Sequence, residues 1–264
     1  MSLAFACVAP HTPLLLPSVA KDKLALLEKT RHAMLELEKE IYLSQPDTIM
    51  ILTPHGDGLP DALTINMQSR YVTNFEEFGD LVTKELWKPD SMLINRIRED
   101  FKTKHLPLTL SSSERLDHGT SIPLHYLTAH LPKVRIVPVA ISELDIKTHF
   151  ELGRELKDEI VSSTDRIAVI ASADLSTRVG PESPAGFSAR GAAYDERILE
   201  ILKSHTHLAV LDLDQAWLDE AQTCSSRVLA VFLGMIQDIN HKTELLSYEK
   251  PFGTGYAVAN VRLV

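Results

Sequence analysis

The sequence is short of the residues that would staple, charge or anchor it. It has two cysteines, Cys7 and Cys224, too few for a disulfide framework or a cysteine-based zinc site. Positive charge is in deficit: 27 Lys and Arg against 36 Asp and Glu leave a net charge of −9. Nucleic acids and anionic membranes need a basic face, so neither is expected as a partner. Long apolar runs are missing too. The N-terminal run, residues 3–9, falls far short of the ~20 residues of a membrane helix. It also lacks the basic leader of a secretory signal. It reads as a buried strand of a cytoplasmic protein. What is present is ordinary for a folded chain of 264 residues, with 44% hydrophobic and 24% charged residues. Disorder is excluded as the main state.

Apolar runs of strand length alternate with stretches of helical periodicity. Strands are expected at 3–9, 48–53, 62–67, 134–141 and 166–171, and two more at 243–248 and 256–263 around a glycine-rich turn. Helices are expected at 21–43, 91–104, 120–131, 146–161, 188–203 and 224–239. In the first of these, Leu24, Leu27, Met34, Leu37 and Ile41 share a face. Pro138 marks its strand as bulged or at an edge. The alternation predicts a single α/β domain, 1–264, with a central mixed, twisted sheet and helices on both faces. The last two strands should form an antiparallel pair.

Ligands of open α/β sheets gather at the carboxyl ends of the strands, so the residues that follow each strand matter most. The first strand is followed by His11 and the second by His55, each beside a proline. Two imidazoles and one carboxylate can hold a divalent metal on one face and leave the opposite positions open. Glu249, in the terminal hairpin, is the candidate carboxylate, and Asp57, two residues after His55, is its rival. The alternative is a pair of hydrogen-bonded loop histidines. Asp117 or Thr120 would cap a helix beside His118, whose imidazole the helix N-terminus would tend to keep neutral. The remaining eight histidines read as surface residues, with His125 the best exception. Cys7 reads as a small core residue. Cys224 opens a helix with no partner nearby in sequence and reads as structural.

The stretches APHTPLLLP (9–17), PDTIMILTPHGD (46–57), LDHGTSIPLHYL (116–127), VIASADLSTR (169–178) and LSYEKPFGTGYAVA (246–259) carry a resemblance. In order and spacing the sequence resembles the class III extradiol ring-cleavage dioxygenases, the LigB type, and within them the Memo-related branch. The resemblance implies a LigB-like fold and a non-haem Fe(II) centre, with zinc or another divalent metal as the alternative. It implies a small catechol-type aromatic substrate and dioxygen as partners, in aromatic catabolism; a homodimer is the default assembly for a soluble enzyme of this size.

Carried over residue by residue, the metal ligands fall on His11, His55 and Glu249. His118 falls beside substrate and dioxygen, and Asp174 and Asp57 would support the ligands from behind. The family's acid/base histidine falls on Thr177, which cannot exchange a proton near neutral pH. His118 is then the best substitute, or the activity is weak or altered. Two other readings stand beside this one: a metal-dependent hydrolase, and a Memo-like or degenerate subunit that binds a metal or partner without catalysis. Aromatic residues make up 6% and give no hint of the ring's substituents. Arg178 and Arg190 are possible carboxylate anchors.

Overall fold

A computed structural model describes residues 2–73, 75–183 and 185–264. Its strands, in chain order, are β1 (Leu3–Ala9), β2 (Thr48–Thr53), β3 (Leu63–Asn66), β4 (Tyr71–Val72) and β5 (Leu86–Pro89). They continue as β6 (Leu108–Ser111), β7 (Arg135–Ala140), β8 (Ile167–Ser172), β9 (His241–Glu249) and β10 (Tyr256–Leu263). The α-helices are α1 (Pro17–Ala20), α2 (Glu28–Ser44), α3 (Ser91–Thr103), α4 (His118–Leu127), α5 (Ile146–Val161), α6 (Ala189–Ser204), α7 (Gln215–Ala221) and α8 (Ser225–Ile236). All ten strands join one mixed sheet of order β4-β5-β7-β2-β8-β1-β10-β9, with β3 and β6 attached alongside β7.

The centre of the sheet is parallel: β1 pairs with β8, β8 with β2, and β2 with β7. These strands are apolar on both faces because both are covered. Ala6, Val8, Met50 and Leu52 face one core with α3, α5, α6 and α8. Phe5, Cys7, Ile49 and Ile51 face the other with α2 and α4. Burying a side chain such as Val169 or Ile170 contributes roughly 1.5–3 kcal/mol. On the first face, α5 and α8 cross in direct backbone contact. A Cβ at Gly153 would overlap the Val231 carbonyl oxygen, and one at Gly234 that of Phe150.

Three expectations change in detail. The long first helix is broken: a 3₁₀ segment, Lys21–Leu27, precedes α2, because Leu27 leaves helical geometry at φ −114°. Pro138 lies inside the sheet, paired with Ile51 of β2. The sheet tolerates it because β5 leaves β7 at Ile136 and β3 joins only at Val139, so nothing on that side needs its missing N–H. Helix α4 begins at His118, two residues early, because Asp117 is its N-cap and accepts from Thr120 N–H at 3.0 Å. The terminal antiparallel pair, β9 with β10, is as expected.

Candidate metal centre

Because β2, β8 and β1 are parallel neighbours, their carboxyl ends lie side by side. The residues just beyond them, His55, Asp174 and His11, therefore converge though far apart in sequence. His118 arrives from α4. Thr53, at the end of β2, donates to Asp117 Oδ1 at 2.7 Å and so ties the α4 N-terminus to the strand that delivers His55. Gly119 allows the fit, since a Cβ there would stand 2.5 Å from Thr53 Oγ1.

The imidazoles of His11, His55 and His118 offer nitrogen atoms that all lie within 4.8 Å of one another. His55 stacks on His118 with centroids 4.4 Å apart, and His11 meets His55 edge-on at 4.8 Å. His11 is buried and His55 stands at the exposed rim. Phe78 lies edge-on to His118 at 5.5 Å.

The orientation of His11 is fixed from behind. Ser172 Oγ donates to the Gly119 carbonyl at 2.5 Å, so it can only accept from His11 Nδ1–H, 2.9 Å away. The lone pair of His11 is then on Nε2, which points at His55 Nε2 across 3.1 Å. Desolvation by burial lowers His11 to about 3, and desolvation next to the other imidazoles lowers His55 to about 4. Uncharged imidazoles meet at this distance either through an N–H···N hydrogen bond from His55 or around a cation. The donor set is one a divalent transition metal accepts.

Two further groups border His11. Asp174 Oδ1 accepts from the His11 backbone N–H at 2.8 Å, and its Oδ2 lies 3.8 Å from His11 Nε2. Burial raises this carboxyl to about 7. The Cys224 thiol lies 3.6 Å from the same Nε2. Nothing in the order of the sequence foretells this, since Cys224 reaches the site only because α8 starts beneath it.

Other expected residues are elsewhere. Glu249 does not face the histidines. Its Oε2 accepts from the backbone N–H of Thr30 at 2.8 Å and from Thr30 Oγ1 at 2.7 Å, so it caps the first turn of α2. Glu249 carries a carboxylate at the expected end of the sheet but on the α2 side of β9, and the carboxylate beside His11 is that of Asp174. Thr177 donates to the Gln222 carbonyl at 3.0 Å, outside the histidine cluster. Asp57 is exposed and lines a small cavity with Thr53, Asn66 and Asp117. His125 pairs with Glu85 at 2.8 Å, away from the centre. Arg178 donates to the carbonyls of Gly186 and Glu220, and Arg190 pairs with Glu220.

An α/β sheet whose parallel strands bring His11 and His55 beside His118 of α4 presents a group of side chains that could hold a metal ion. The chain belongs to the LigB family, described as the catalytic LigB subunit of aromatic ring-opening dioxygenase, whose profile matches residues 5–259. The family is one of metal-dependent, dioxygenase-type oxidoreductases. Protein CA_C1420 of Clostridium acetobutylicum is 28% identical over 268 aligned positions, which include 98% of this chain. The chain spans 57% of the length of that relative. Among solved structures, the uncharacterized protein JW3007 of Escherichia coli K12 shares the fold, with a TM-score of 0.68 at 16% identity over 98% of this chain and 99% of that one. Among the described residues, no helix is long and apolar enough to cross a membrane.

Proposed function

We propose that the chain is a non-haem Fe(II) dioxygenase that opens a small catechol-type aromatic ring. The observation that carries this reading is the convergence of His11, His55 and His118 at the carboxyl ends of parallel strands, with the Asp174 carboxylate beside them. His11 and His55 would hold the metal through Nε2, and Asp174 Oδ2 would complete a face of two imidazoles and one carboxylate. Bound there, Fe(II) supplies the redox chemistry that joins a diol to dioxygen.

The chain's own residues do the rest. Ser172 holds His11 in its Nδ1–H form and keeps Nε2 free. The Asp117–Thr53 bond keeps His118 stacked on His55, where its imidazole can take a phenolic proton. The Thr177 hydroxyl, spent on the Gln222 carbonyl, plays no part in proton transfer. Positioned acid–base help is worth about 10²–10⁴-fold in rate. The test is anaerobic loading with Fe(II), followed by oxygen uptake and product absorbance over a panel of catechols. Uptake with a coloured ring-opened product is expected. His118→Gln should lower kcat by about 10²-fold or more while metal content stays intact. No uptake with any catechol would overturn the reading.

One observation favours a second reading. A thiol beside His11 makes the donor set softer than oxygen and nitrogen alone, which suits zinc or copper. A centre of that kind fits a metal-binding protein without ring cleavage. Metal analysis of the purified chain separates the two readings.

A further inference from the structure

A second group of three histidines lies at the other end of the sheet. His205 and His207 follow the C-terminus of α6, and His241 is the first residue of β9. His241 pairs with Leu263, whereas the opposite end of this hairpin, Tyr256, is bridged to Asp174 beside the first centre. The backbone of His205 turns left-handed, with φ 58°, and brings two histidines spaced i, i+2 against the edge strand. Candidate ligand nitrogens of the three rings lie within 4.8 Å of one another. His207 and His241 stack with centroids 5.0 Å apart, and His205 lies 4.9 Å from His241.

The hydrogen bonds decide which nitrogen each ring presents. His241 Nδ1 faces the Ile239 carbonyl at 2.7 Å, and a carbonyl can only accept, so the proton is on Nδ1. His207 Nδ1 faces Gln237 Oε1 at 3.2 Å. The Gln237 amide is set that way round because its Nε2 donates to Asp238 Oδ1. Both Nε2 atoms are therefore bare lone pairs. Both are buried and without a hydrogen-bond partner, on residues only 5% and 8% exposed. A buried polar atom left unmet costs about 1–3 kcal/mol, and two side by side are a strong sign of a missing electrophile. An acceptor behind each metal-binding imidazole is the arrangement that fixes its tautomer and direction.

We propose that His205, His207 and His241 form a second divalent-metal site, of the class that takes Zn²⁺. Three neutral imidazoles suit a borderline cation, and exposed His205 leaves a fourth position open to water. The ion would clip the turn after α6 to edge strand β9, a structural tether independent of the first centre.

The test uses the whole chain, stripped with chelator, then titrated with Zn²⁺ and separately with Co²⁺. The wild type should bind two equivalents, and a His11→Ala/His55→Ala variant should keep one. His205→Ala, an exposed change that leaves the fold intact, should weaken that remaining site by at least tenfold. Zn²⁺ should raise the Tm of the His11→Ala/His55→Ala variant but not that of the same variant carrying His205→Ala. Absence of Zn²⁺ binding by the His11→Ala/His55→Ala variant, or unchanged binding after His205→Ala and His207→Gln together, would overturn the proposal. Loss of ring-cleavage activity bears only on the first centre.

Discussion

Replacing Glu249 separates two roles for one carboxylate. As a metal ligand it would take the metal with it. As the cap of α2 it would cost stability and leave the metal in place. Helix α2 has no side-chain cap of its own, since its N-cap position is Leu27. Glu249 Oε2 therefore meets both the Thr30 N–H and the Thr30 hydroxyl. Thr30 is fully buried, so both donors lose their partner when the acid is removed. Hydrogen bonds to a charged group are worth about 1.5–3 kcal/mol each. These two share one acceptor oxygen and one donor residue, so they do not add, and Glu249→Ala should cost about 2–3 kcal/mol. Glu249→Gln keeps an uncharged acceptor and should recover roughly half of that. At roughly 2–4 °C per kcal/mol for a chain of this order of size, the alanine variant should melt about 4–12 °C lower. The assay is urea unfolding with parallel elemental analysis of metal-loaded protein. A Glu249→Ala variant with unchanged urea midpoint and no metal at the first centre would refute the capping role.

Two more outcomes follow from the hydrogen-bond pattern. Ser172→Ala removes the acceptor that fixes His11 Nδ1–H, and should weaken metal binding at the first centre by about 10–100-fold, read by competition with a chelator of known affinity; unchanged affinity would show that His11 is oriented by other means. Asp80 accepts from Ser18 Oγ at 2.6 Å, from Thr83 Oγ1 at 2.7 Å and from the N–H groups of Val82 and Thr83, and these bonds, the one from Ser18 foremost, hold its carboxyl below the usual range. A carboxyl depressed on folding stabilises above its unfolded value of about 3.9 and loses that advantage as pH falls toward its folded value. The stability gap between wild type and Asp80→Asn should thus be full at pH 7 and 5 and shrink below about pH 4; a gap independent of pH in urea titrations would count against it.

Much of the architecture is legible in the chain. Residues 48–53 and 146–161 fold as the strand and helix that their patterns predict, because each is long enough for local propensity and burial to agree. The short strands β4, β5 and β6 are not legible, since they are two to four residues long and only partly buried, whereas the equally short β3 shows in its buried apolar run. Helix 120–131 is visible, but its true start at His118 depends on which of two candidate caps wins. Asp117 wins because Thr53 also binds it. The centre follows the same division. His11 and His55 announce themselves at strand exits. Asp174 and Cys224 meet them only after the strands are ordered. The second histidine group is not legible: residues 205, 207 and 241 read as surface histidines, whereas His207 and His241 are buried where the turn after α6 meets β9.

By itself the sequence determined the alternation of strands and helices, the two covered faces of the sheet and the two histidines at its carboxyl edge, because all of these are local patterns of apolar and polar residues. Only the tertiary structure decided which carboxylate stands by His11 and which caps a helix. The reason is that a side chain's partner depends on neighbouring strands and helices that no local pattern specifies, so Glu249 meets Thr30, 219 positions away, while Asp174 holds the backbone of His11.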